Sequence, residues 1–193
     1  MQQATVQLGK LGVQSIVNSM GVFVSAAFAA VNRIDDFAYI PQQNIAHAMT
    51  ALMAQNKGAK KTNRIKAAFL CGIKIELIYG IFIFLLCFFL AHPLMQLFSS
   101  DPVVCKHGVT YLKLISLMYL FPAVTNGVQG YFRGIGDLKI TLISSFVNMS
   151  VRVIFAAILV FHFSLQIEAL PFSYLAGWIG MLVAEIPLLL KKF

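Results

Sequence analysis

The sequence predicts an all-α, polytopic membrane protein with six transmembrane helices. Three observations predict it. Apolar residues fill 59% of the 193 positions and charged residues only 11%, whereas soluble domains carry roughly 25% charged residues. Mean hydropathy is +0.81, and a chain this short has too much surface for its volume to hide that much apolar area from water. Finally, the apolar residues fall into long runs separated by short joints rich in Gly, Pro and charge. Such runs need about 20 mostly apolar residues each to cross a bilayer.

The spans follow in order, at about 11–32, 36–55, 67–91, 110–131, 140–162 and 170–190, and 1–193 forms a single six-helix unit. The first has no ionisable residue over Leu11 to Asn32. The second holds His47, Pro41 and several amides. The third is apolar except for Lys74 and Glu76, and the fourth is uncharged from Leu114 to Phe132 with Pro122 in its middle. The fifth is interrupted by Arg152 and the sixth by Glu185. The joints at 55–66, 92–108, 131–139 and 164–171 are short and turn-rich, which implies antiparallel neighbours in a bundle.

Lys and Arg set the orientation. One side of the predicted topology collects eleven of them, among them Lys57, Lys60, Lys61 and Arg64, and the other only Arg33 and Lys106. This asymmetry predicts both termini on the cytoplasmic side of a multi-pass cell-membrane protein. The net charge of +8 therefore reads as anchoring to the lipid bilayer, with no nucleic-acid partner. Lys60, Lys61 and Arg64 are placed to meet anionic lipid.

Enzymatic and metal chemistry find no support. Cys71, Cys87 and Cys105 form no CxxC pair, and the four histidines never recur at i,i+3 or i,i+4. There is no Walker motif, GxGxxG or Ser/His/Asp arrangement. We expect no catalytic residues, no metal, no cofactor and no cleavable leader.

Polar residues inside spans must be satisfied by protein or by a wet cavity, so their spacing is informative. In the first span Gln14, Asn18 and Ser25 recur at steps of four and seven; in the second, Asp36, Gln43, His47 and Thr50 recur at seven, four and three. Each set makes one stripe along a helix. Pro41 frees a backbone carbonyl one turn back. Together the two stripes read as cavity lining, and Tyr119, beside Pro122, offers a further polar group at a bend. Arg152 lies roughly 18 Å into its span at 1.5 Å per residue. A charge so deep needs a partner, and Glu76 or Glu185 is the expected one, in a structural pair.

Three stretches carry a resemblance: VNSMGVFVSAAFAAVNRIDDFAYIPQQNIAHAMTALMAQNKGAKKTNRIKAA (17–68), HPLMQLFSSDPVVCKHGVTYLK (92–113) and FPAVTNGVQGYFRGIGDLK (121–139). In order and spacing they resemble the multidrug and toxic compound extrusion (MATE) family, with the "QN-x-GA…R" and "NG…FRG-x-GD" loops the most specific. The resemblance covers nearly the whole chain and implies the second of two six-helix lobes. It implies a secondary active antiporter that exports drugs or organic cations in exchange for sodium ions or protons. A second lobe is then the implied partner. The acids that some branches carry in the first and fourth spans of this lobe are absent here, which leaves ion coupling by this lobe open. Two rivals remain: a non-transporting scaffold or assembly subunit, and a flippase of the same superfamily acting on a lipid-linked substrate.

Overall fold

The computed structural model describes residues 2–192, with the side chains of Gln2 and Gln3 left aside. The described residues form eight helices: α1 (Gln2–Ser19), α2 (Val22–Gly58), α3 (Thr62–Phe89), α4 (Ala91–Gln96), α5 (Pro102–Ser116), α6 (Leu120–Gly134), α7 (Leu138–Phe161) and α8 (Ala169–Lys192). By length and composition three of them, α3, α7 and α8, are able to cross a membrane. The pair α5 and α6, bent by 52° at its joint, meets the same test when taken together. α1 and α2 do not pass it, so six crossings remain an expectation.

The first two helices depart from the predicted boundaries. The break falls at Gly21, inside the expected 11–32 span, and no break occurs at 33–35, between the expected spans 11–32 and 36–55. Gly21 has φ 101 and ψ 170, a backbone shape that suits glycine alone. From there α2 runs unbroken for 37 residues, about 55 Å. The charges at 33–36 do not end it because that segment contains no Gly or Pro and its buried residues keep helical spacing on both sides. Val24, Ala27, Val31, Ile34, Ala38, Ala46, Met49 and Met53 all lie on the inward face. Arg33 consequently lies inside α2 and not in a joint between two helices.

α2 is the centre of the fold: it packs against α3, α5 and α6, while α1 packs along α7 and α7 along α8. Small residues bring α2 and α6 together. A Cβ on Gly130 would stand 2.8 Å from the Ala46 carbonyl oxygen, and one on Gly134 2.7 Å from Met53 Cβ. This is the small-xxx-small contact of membrane helices. Thr50 fastens the same seam, donating to the carbonyls of Ala46 (2.8 Å) and Gly130 (3.2 Å).

Pro41 sits within α2 without ending it. It has no N–H to give the Phe37 carbonyl, and the Tyr79 hydroxyl of α3 donates to that carbonyl instead, at 3.0 Å. Elsewhere the local chemistry is ordinary. Asp101 caps α5 by accepting from the backbone N–H groups of Val103 (2.7 Å) and Val104 (3.2 Å), ahead of Pro102 at the first turn. Gly136 takes φ 78 in the α6–α7 turn, but in the α2–α3 turn it is Lys60, not Gly58, that adopts positive φ.

Candidate functional site

Two faces of α2 carry the polar groups. The outer one bears Arg33, Asp36, Gln43, Asn44 and His47, all exposed, with Ile40 among them. At 100° per residue Asp36, Ile40, Gln43 and His47 form a single stripe. Ile40 is the midpoint of α2, and the stripe lies within about 11 Å of it along the axis. Of the residues expected to line a cavity, Asp36, Gln43 and His47 therefore share one uncovered face. Thr50 does not join them, being half-buried and committed to α6.

Gln14 and Asn18 form a smaller polar line. Gln14 donates to the Asn18 side-chain oxygen at 2.8 Å. Ser25, across the Gly21 break, donates to the Val17 carbonyl (3.2 Å) and toward Asn18 (3.4 Å). The stripe predicted on one helix is thus assembled from α1 and the start of α2.

The inner face of α2 holds a cluster that the spacing of the sequence did not single out. Asp35, 4% exposed, accepts a short hydrogen bond from the hydroxyl of Tyr119. Tyr119 occupies the joint between α5 and α6, so the carboxylate of α2 is tied to the point where that pair bends. Arg152 of α7 is 8% exposed, lies within electrostatic reach of Asp35, and stacks on the Tyr174 ring of α8 at 2.8 Å from its centroid. The remaining wall is aromatic: Tyr39 stands edge-on to Tyr119 (5.9 Å) and beside Trp178 (6.4 Å), and Trp178 stands edge-on to Tyr174 (5.9 Å). Among the described residues the buried hydroxyls of Tyr39 and Tyr111 and the Arg152 Nε have no hydrogen-bond partner. Buried polar groups ordinarily do, so a single carboxylate here is surrounded by donors with bonding capacity in reserve.

The expected pairing of Arg152 with Glu76 or Glu185 is not what the fold builds. Glu185 accepts from Ser144 at 2.6 Å, with Gln129 and Arg133 nearby. Glu76 is fully buried on the α3 face between Gly72 and Gly80, which abut Met49 of α2 and Ala123 of α6, and neither of its oxygens has a partner among the described residues. The ion pair found among them is Lys192–Asp137, which ties the end of α8 to the α6–α7 turn. Asp35, which falls between the expected spans 11–32 and 36–55, lies instead inside α2. No group of three or more His, Cys, Asp or Glu side chains able to hold a metal occurs among the described residues.

The MatE family profile matches residues 1–158. A probable multidrug resistance protein NorM of Thermotoga maritima is 24% identical over 179 residues, covering 91% of this chain and 37% of that protein. The probable multidrug resistance protein YoeA of Bacillus subtilis is 27% identical over 176 residues, with 91% and 36% covered. Among solved structures, an outward-facing multidrug resistance MATE family transporter of the MOP superfamily matches with a TM-score of 0.92 at 14% identity, over 99% of this chain and 43% of that one. An inward-facing MATE family transporter matches with a TM-score of 0.84 at 19% identity, over 98% and 44%. The chain thus spans about a third of the length of the curated relatives it matches.

Proposed function

Because the chain belongs to the MatE family, whose members are multi-pass membrane transporters and not enzymes, we propose that it forms one lobe of a secondary active transporter exporting drugs or organic cations. The observation that carries this reading is the uncovered stripe of α2. A carboxylate, amides and an imidazole at the middle of a long helix are costly against lipid tails, so the stripe calls for a water-filled cavity shared with a second lobe. On this reading Asp36, Gln43 and His47, with Phe37 and Ile40 beside them, face a substrate that is at once apolar and cationic. Gln14 and Asn18 extend the same wall. The six crossings and the cytoplasmic termini expected from the Lys and Arg asymmetry belong to the same proposal.

The inner cluster is the proposed coupling element. Asp35 faces Tyr39 and Asp36 of its own helix, Cys87 of α3, Tyr111 of α5, Tyr119 of the joint and Arg152 of α7. The guanidinium disfavours a second fixed cation beside it, so of the two coupling ions left open the geometry favours the proton. A proton taken up on the free oxygen of Asp35 weakens its attraction for Arg152 and its hold on Tyr119. That loosens the tie at the α5–α6 joint, and loss of the proton restores it. Broken helices form the substrate and coupling-ion sites of many other secondary transporters.

The test is ethidium efflux from cells making this chain alone or together with an N-terminal MatE lobe. Efflux is expected only with both lobes, and it should follow an imposed pH gradient and not a sodium gradient. Absence of efflux in both cases, with the chain well inserted in the membrane, would overturn the transporter reading and favour a scaffold. Efflux that follows sodium alone would overturn the proton assignment and leave the transporter reading standing.

A further inference from the structure

At the Gly58 end of α2 and the Thr62 end of α3 lies a shallow groove of about 540 Å³. Its floor is apolar, made by Leu52, Ala67, Ala68 and Cys71, and its rim carries Gln55, Lys61 and Arg64. The α2–α3 turn that shapes the rim is well closed. The Lys61 N–H bonds to the Asn56 carbonyl and the Lys60 N–H to the Lys57 carbonyl, with Lys60 at φ 58. Asn56 is occupied, its amide donating to the Leu52 carbonyl. Lys57 is drawn away toward the Ile135 carbonyl of the α6–α7 turn.

Lys61 and Arg64 are exposed and form no ion pair among the described residues. The surroundings hold little to neutralise them. No acidic residue occurs between Asp36 and Glu76, Glu76 is fully buried, and Asp137 of the neighbouring turn is bound to Lys192. Two unpaired cations therefore stand over an apolar floor where α3, a helix apolar enough to span the bilayer, begins. Its complement is a molecule with a phosphate oxyanion at one end and hydrocarbon at the other.

We propose that this groove binds an anionic phospholipid, with the phosphate between Lys61 and Arg64 and an acyl chain over Ala67, Ala68 and Cys71. The site stands apart from the α2 stripe and from the Asp35 cluster, and it does not depend on which substrate the lobe exports.

Cys71 supplies the reporter, being the exposed cysteine while Cys87 and Cys105 are buried. The purified chain in neutral detergent is titrated with short-chain phosphatidylglycerol, short-chain phosphatidylcholine or inorganic phosphate, and the alkylation rate of Cys71 by a polar maleimide is followed. Phosphatidylglycerol should slow the reaction several-fold, while phosphatidylcholine and inorganic phosphate leave it unchanged. In the double variant Lys61→Gln/Arg64→Gln the concentration of phosphatidylglycerol needed for protection should rise about tenfold or more. Equal protection by phosphatidylcholine would mean that the floor alone binds lipid. Equal protection by inorganic phosphate would mean a soluble anion site, and undiminished protection in the double variant would mean that the cations take no part. Any of these three results would overturn the proposal.

Discussion

Asp35 and Arg152 depend on each other in a way that single and double substitutions separate. Replacing Asp35 by Asn removes the carboxylate within electrostatic reach of the buried Arg152 guanidinium, and a buried charge left uncompensated is destabilising. The variant Asp35→Asn should therefore unfold at markedly lower temperature in detergent. Adding Arg152→Gln removes the orphaned charge and should recover most of that loss. If Asp35 carries the coupling proton, the double variant still fails at pH-driven efflux despite its restored stability. A double variant that folds and transports normally would remove Asp35 from the mechanism. Tyr119→Phe retains the carboxylate but releases the joint, and it should weaken efflux without abolishing insertion. Near-complete efflux in that variant would count against any role for the tie between α2 and the bend.

At the scale of elements, α2 is held by contacts that compensate for its own irregularities. The carbonyl of Phe37, stranded by Pro41, relies on Tyr79. Tyr79→Phe should cost about 1 kcal/mol in the parent chain and almost nothing in a Pro41→Ala background, where the helix satisfies the carbonyl itself. A double-mutant cycle of thermal stabilities measures the difference, and equal costs in both backgrounds would mean that the hydroxyl is not serving that carbonyl. Along the α2–α6 seam Gly134→Val meets Met53 Cβ and the Thr50 carbonyl and should destabilise by about 1–3 kcal/mol, as overpacking does. Much of this level was readable in advance. The apolar runs at 67–91, 140–162 and 170–190 overlap α3, α7 and α8, and the bend near Pro122 is present. Arg33 and Asp35, falling between two long runs, read as a joint although α2 is continuous through them. A signal against that reading is present in the inward residues, which keep helical spacing straight through the charges. The Asp35 cluster was hidden for a different reason. Its members come from α2, the α5–α6 joint, α7 and α8, and no spacing within one segment brings Tyr119 to Asp35 or Tyr174 to Arg152.

For the whole molecule, the stripe on α2 makes a prediction about partners. Gln43→Leu and His47→Leu together put apolar groups on an uncovered face, so the lobe alone should insert and fold as well as before. Supplied with a second lobe, the same variant should transport poorly, because the cavity wall has lost its amide and imidazole. Measured together, insertion and efflux should diverge. If both fall in parallel, the stripe serves the folding of this lobe and does not face a shared cavity.

The length of α2 has a mechanical consequence. Asp35 and its bond to Tyr119 lie 13 residues from the Val22 end and 23 from the Gly58 end, about 20 Å and about 35 Å along the axis. A stiff rod held at that point is a lever of unequal arms. Any tilt about the Asp35 fulcrum sweeps the Gly58 end through an arc about 1.8 times that of the Val22 end. Because the seam at Ala46, Thr50 and Met53 fastens the longer arm to α6, a tilt of α2 about Asp35 would have to carry α6 with it, and the far tip, where α2 turns into α3, would move most.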